Sequence, residues 1–250
     1  MFEKLLSSIG VGAAKVDTIV SNPEVERGGL LKGKVMIYGG NAEQEISKIY
    51  LELVTSYYYD AGATGGYKYH TILEHDIHTH FVINPHEKKE IPFEFIIPYE
   101  SPISYNSQRV DLNTGLDIAL AVDPRDYDPL VILPDPATRK LLNAIGQLGL
   151  QHKVSSGNCH YQSSWTIPYR QEFNFKPITV SKGKIDELDI CVVANSSGID
   201  VVLEVDKRAG GIFGVFAEAL DLDEKFVKFS IKHNQDFSVG DLEHYILKGL

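Results

Sequence analysis

The sequence predicts a mainly β protein made of two comparable modules with a short helix between them. Three observations carry this reading. Val, Ile, Tyr and Phe are plentiful while Gly and Pro recur throughout, short runs alternate apolar and polar residues with a period of two, and helical periodicity is confined to small pieces. The clearest helical piece lies within Asp128 to Gln151, near the middle of the chain. With 250 residues and 43% hydrophobic content, the chain can fill two cores of ordinary size. The expected organisation is residues 1–127, a linker with a short amphipathic helix over 128–151, and residues 152–250.

Phe2, Leu5, Leu6 and Ile9 stand at helical spacing, so a short amphipathic helix is expected over Met1 to Ile9, docked on its own domain. Gly10, Gly12 and Lys15 have the wrong spacing for a phosphate loop, and no strand precedes them. Val16 to Val20 and Val35 to Tyr38 read as strands. Ile49, Leu51 and Leu53 begin a half-buried strand that runs on to Tyr59. Asp60 to Gly66 is a hairpin tip flanked by Tyr57, Tyr58, Tyr59, Tyr67 and Tyr69, which the hairpin would bring together. Tyrosines combine a rigid apolar ring with a hydroxyl, so Tyr57, Tyr59, Tyr67 and Tyr69 are candidates for contacting a partner. Cross-strand packing is the simpler role for the same rings.

From Thr71 to Ile83, Leu73, Ile77, Phe81 and Ile83 share one face. His78 and His80 project to one side of an extended strand, the geometry of a metal-ligand pair, with His70 and His86 nearby. No cysteine or glutamate motif completes a ligand set. Ile91, Phe93, Phe95 and Ile97 alternate around Pro92, which marks an edge strand or one that begins late. Leu116, Ile118, Leu120 and Val122 alternate most cleanly in the first half. Asp123, Asp126 and Asp128 lack the glycine and final glutamate of a helix-loop-helix calcium loop and read as a solvated strand end.

Pro134 and Pro136 interrupt any ladder, and Asp135 opens a helix whose stripe is Leu141, Leu142, Ile145 and Leu148, ended by Gly149. In the second half Trp165, Ile167, Phe173 and Phe175 fall in extended sequence. Leu188, Ile190 and Val192 pair through Ser196-Ser197-Gly198 with Ile199, Val201, Leu203 and Val205. Phe226, Phe229 and Ile231 supply another strand. Leu242, Tyr245, Ile246 and Leu250 suggest a terminal helix. Cys159-His160 is not read as a nucleophile pair, because adjacency in sequence does not bring the two side chains together.

A net charge of −10 without a basic-aromatic patch argues against nucleic acid as partner. Two cysteines without a secretory signal fit a reduced, cytoplasmic protein, and no apolar run reaches membrane-spanning length. Hydrolase, phosphate-loop and zinc-peptidase motifs are missing, so the sequence points to a non-enzymatic protein with no cofactor. Its tyrosine-rich hairpin and strand edges suit binding a protein partner, and strand edges also permit self-association. The alternative is a metal- or small-ligand-binding protein using the His70 to His86 region.

Gly10 to Thr18 (GVGAAKVDT), the central Pro-Asp-Pro with its helix, Trp165 to Pro177 (WTIPYRQEFNFKP) and Asp206 to Gly211 (DKRAGG), in that order, resemble the bacterial sporulation-control family of Spo-zero-M type. The resemblance spans essentially the whole chain. It implies an arrestin-like fold of two β-sandwich domains joined by a short connection, and a regulatory or scaffolding role in sporulation or stress-linked physiology. It supplies no catalytic residues. Lys207 and Arg208 are the charged residues of its DKRAGG motif and are further partner-contact candidates beside a plain salt-bridged turn. Glu26 to Val35 (ERGGLLKGKV) resembles the arrestin-type turn and strand, with Arg27 where a proline often stands.

Overall fold

A computed structural model describes residues 12–60, 64–77, 80–119, 122–163, 166–178, 185–206 and 226–249. The expected helix over Met1 to Ile9 lies outside them, as do Gly10, His78, Trp165, Lys207 and Arg208. The described chain is mainly β, with two helices among these residues, and divides into two compact units. The first gathers residues 12–55, 71–98 and 110–132; the second gathers 56–70, 99–109 and the described residues from 133 onward.

In the first unit, β1 (Lys15–Val20), β2 (Glu24–Glu26), β3 (Leu30–Tyr38), β4 (Gln44–Tyr59), β5 (Gly66–Ile77), β6 (Phe81–Ile83), β7 (Lys88–Ile96), β8 (Val110–Ile118) and β9 (Arg125–Leu133) follow in order, β4 and β5 extending beyond it at the hairpin tip. One sheet has the order β1-β3-β7. The other has the order β4-β8-β9-β2, with β5 and β6 also pairing β4. Inward residues of the two sheets meet in one core, among them Val16, Leu31, Val35, Ile37, Phe93 and Phe95 with Ile49, Leu51, Leu53, Leu112, Leu116 and Leu130. Each such side chain contributes about 1.5–3 kcal/mol by leaving water.

The edges of the β1-β3-β7 sheet are managed by chemistry. Ser21 N–H donates to Lys32 O, so even-numbered β3 residues bond toward β1 and odd-numbered ones toward β7. Pro92 pairs with Lys34 and therefore turns its missing N–H to the outer edge, where no ladder bond is lost. At the opposite edge the Thr18 N–H donates to Asp126 Oδ2 at 2.6 Å. The Glu26–Gly29 turn closes with Gly29 N–H donating to Glu26 O at 2.7 Å and Gly28 at φ 81°, the signature of a type II turn. Arg27 thus occupies the position that proline favours, and the turn forms without it.

Two boundaries differ from the sequence reading. The alternating strand of the first half is Val110–Ile118, starting earlier than its most regular residues. The acidic run at Asp126 to Asp128, expected as a solvated strand end, is strand β9, which continues to Leu133. Its acidic residues mask the pattern because Asp126 and Asp128 sit on the inward side with Leu130 and Ile132.

In the second unit α1 (Pro136–Gln147), β10 (Leu150–His152), β11 (Cys159–Tyr161), β12 (Tyr169–Pro177), β13 (Glu187–Asn195), β14 (Gly198–Asp206), β15 (Phe226–Lys232) and α2 (Val239–Lys248) follow. The sheet order is β15-β14-β13-β12-β11, with β10 also on β12. The tip of β4 joins β11 in parallel, Tyr58 opposite His160. Asp135 caps α1: its Oδ1 accepts from Ala137 N and Thr138 N, and its Oδ2 from Thr138 Oγ1. The buried face of α1 is Ala137, Thr138, Leu141, Ala144 and Ile145, with Leu142 and Leu148 half-buried beside it. A capping box between Ser238 and Asp241 starts α2. Both helices pack with the sheet face carrying Phe173, Phe175, Leu188, Ile190, Val201 and Leu203.

Candidate functional site

The tyrosine cluster forms as the hairpin predicts, and strand alternation divides it between two faces. On one face Tyr57 is buried, its ring 6.2 Å from Tyr161 and 6.0 Å from Tyr169. Tyr59 meets Tyr161 edge-on at 4.7 Å, and Lys68 Nζ lies 3.8 Å from the Tyr59 ring centre, a cation–π contact. His70 approaches Tyr169 at 5.7 Å, and burial lowers its imidazole below the usual range. On the other face Tyr58 meets Tyr67 at 5.6 Å and His160 at 6.4 Å. Tyr67 and Tyr69 are 68% and 79% exposed, and Tyr161 is 41% exposed. The expected partner residues therefore separate into a buried base, Tyr57 with half-buried Tyr59, and two projecting rings, Tyr67 and Tyr69.

Two buried glutamines, absent from the sequence reading, hold this base. Gln108 Oε1 accepts from Cys159 N at 2.8 Å while its Nε2 donates to Ser56 O at 2.9 Å. Gln171 Oε1 accepts from Ile103 N, and its Nε2 donates to Ile103 O and Gly157 O. Each side chain substitutes for main-chain partners where two segments meet away from a regular ladder. A lone glutamine carries no periodic signal, so nothing local marks it.

Behind His160 lies a buried polar layer. Arg170 Nε donates to Glu172 Oε1 at 2.7 Å and Nη1 to Gln162 Oε1 at 2.8 Å. Lys153 pairs with Glu187, and Asn174 Nδ2 donates to Asp189 Oδ1 at 2.8 Å. Burial, with Glu187 and Glu172 nearby, pushes the Asp189 carboxyl up to about 6 against the opposing pull of Asn174 and Lys153. Burial likewise lowers the His160 imidazole, Arg170 acting in the same sense and Glu172 against it. The Cys191 thiol, fully buried opposite Glu172, is pushed up to about 12 by burial. Cys159 and His160 leave β11 on opposite faces, Cys159 beside Tyr57 and His160 beside Tyr58, which separates them as a catalytic pair.

The histidines of the His70 to His86 region have different surroundings. His75 packs at 5.3 Å from Phe95, His80 lies 3.2 Å from Glu45 Oε1 at the surface, and His86 occupies a turn at φ 60°. Among the described residues no three His, Cys, Asp or Glu side chains converge to hold a metal ion. Asp123, Asp126 and Asp128 do not converge on one point either: Asp123 Oδ1 accepts from Ile118 N, while Asp126 accepts from Thr18 N. A surface recess of about 430 Å³ lies between Tyr105–Ser107 and His152–Val154. Its polar groups already bond within the protein: Asn106 Nδ2 donates to Ser156 O, Ser107 Oγ to Asn158 Oδ1, and His152 Nδ1 meets Ser156 Oγ at 2.7 Å.

The family model described as SpoOM protein matches residues 2–209. The sporulation-control protein spo0M of Bacillus subtilis (strain 168) is 31% identical over 248 residues, covering 98% of this chain and 95% of its own. A crystal structure of the sporulation-control protein Spo0M from Bacillus subtilis matches with a TM-score of 0.78 at 28% identity, over 96% of each chain. The fold is accordingly arrestin-like.

Proposed function

The chain belongs to the SpoOM protein family, and on that premise we propose that it is a non-enzymatic regulator of sporulation control that binds a protein partner. The carrying observation is the pair of exposed rings, Tyr67 and Tyr69, projecting from a hairpin whose base is fixed by stacked tyrosines. Exposed tyrosines on a rigid support offer large contact area at small entropic cost, the property that enriches them at protein interfaces. The role in sporulation rests on the name of the relative, and the cytoplasmic setting on two buried cysteines that are not joined in a disulfide. No helix among the described residues is long and apolar enough to cross a membrane.

The test is capture of native partners by the purified protein and by a Tyr67→Ser/Tyr69→Ser variant at high salt. A protein retained by the wild type and lost by an equally stable variant supports the reading. Retention by both excludes this hairpin as the contact.

A further inference from the structure

The outward face of the β4-β8-β9-β2 sheet carries exposed apolar surface where a solvated sheet would be polar. Pairing of Asn113 with Tyr127 and of Asp111 with Pro129 places Arg125, Tyr127, Pro129 and Val131 on the side opposite Leu130 and Ile132. Tyr127 is 60% exposed and Val131 42%. Gly115, between Tyr50 and Arg125 in the register, leaves a bare spot over which the Tyr50 ring lies. Arg125 lies within electrostatic and hydrogen-bonding reach of the Tyr50 and Tyr127 hydroxyls. Tyr127 to Val131 spans about 13 Å along the strand.

The rim of this face is acidic. Val25 turns inward, so Glu24 and Glu26 flank the apolar row on β2, and Glu52, Asp111 and Asp117 stand across it on β4 and β8. Among the described residues of these four strands, the outward cations are Lys48, which bonds Asp76 at 2.8 Å, and Arg125. A second copy would bring the same acidic rim and a further net charge of −10, so like charge opposes self-pairing here.

We propose that this sheet face docks a basic segment with an apolar side, contributed by another protein. The inference rests on the reading of the chain as a protein-binding regulator and supplies a partner chemistry for a surface distinct from the tyrosine hairpin. The apolar row seats the partner's apolar side chains, and the carboxylates around it receive its lysines or arginines.

The experiment measures a labelled, amphipathic Lys/Leu peptide by fluorescence anisotropy against the full chain at physiological ionic strength, with a Glu/Leu peptide as counterpart. Tyr127→Ser/Val131→Ser should weaken binding about tenfold or more, and Glu24→Lys/Glu26→Lys should weaken it severalfold. Tyr67→Ser/Tyr69→Ser should leave it unchanged, which separates this face from the hairpin. Equal binding of the Lys/Leu peptide by the Tyr127→Ser/Val131→Ser variant overturns the proposal, as does equal affinity for the Glu/Leu peptide. Native-partner capture on the same variants keeps the broader reading separate: a partner lost only with the hairpin variant sustains that reading while the peptide result decides this one.

Discussion

Gln171 and Ile103 are joined by two hydrogen bonds, Ile103 N–H donating to Gln171 Oε1 at 2.9 Å and Gln171 Nε2 donating back to Ile103 O at 2.7 Å. A third bond runs from the same Nε2 to Gly157 O. The glutamine is buried, so water cannot replace what it supplies. Gln171→Leu should therefore cost about 2–4 kcal/mol of unfolding free energy. Urea denaturation checks this beside Gln151→Leu, whose exposed parent should tolerate the change within about 0.5 kcal/mol.

Gly115 is constrained by close approach. A Cβ there would lie 2.1 Å from Tyr50 Cζ and 2.2 Å from its hydroxyl oxygen. Gly115→Ala should destabilise by about 1–3 kcal/mol because the ring must leave its place. Combined with Tyr50→Ser, the cost should be smaller than the sum of the two single changes, since the clash is then gone. Strict additivity in thermal melts would refute the contact.

Asp189 makes stability depend on pH in a defined direction. Its folded-state value of about 6 lies above the ordinary 3.8, so on raising the pH the unfolded chain gives up this proton first. Its contribution is accordingly favourable at low pH and is lost as pH rises from about 4 through 6. Asp189→Asn should leave stability near pH 4 little changed and raise it by about 1–3 kcal/mol at pH 7–8, retaining an acceptor for Asn174. Unfolding curves across that range decide it; an unchanged or lower stability at pH 8 would contradict the assigned cause.

The tyrosine hairpin should separate support from contact. Tyr57→Ala empties a buried, ring-lined position and should cost about 3–5 kcal/mol, whereas Tyr69→Ala should change stability by less than about 0.5 kcal/mol. Equal costs at the two positions would mean that Tyr69 belongs to the packing as much as Tyr57 does.

Local sequence carried far where physics is local. Alternation in Leu188 to Val192 and Ile199 to Val205 was sufficient for the β13–β14 hairpin, paired from Asn195 with Gly198 to Glu187 with Asp206. Pro92 left an edge strand or a late start open, and the strand, which begins at Lys88, is an edge one; Asp135 with Pro136 announced a capped helix. β9 was hidden because its inward side begins with two aspartates, and a pattern rule takes inward residues to be apolar.

By itself the sequence determined the mainly β class, the central helix, the hairpin that gathers the tyrosines and the family resemblance, because periodicity, turn chemistry and motif order are written along the chain. Only the tertiary structure decided which tyrosines are base and which project, that Cys159 and His160 part to opposite faces, and that Gln108 and Gln171 pin the site. Those outcomes depend on partners up to 112 residues apart, as Tyr57 and Tyr169 are, and on which face of a strand meets another layer. The physical reason is that burial and hydrogen-bond completion belong to pairs of distant segments, so one segment's residues cannot specify them alone.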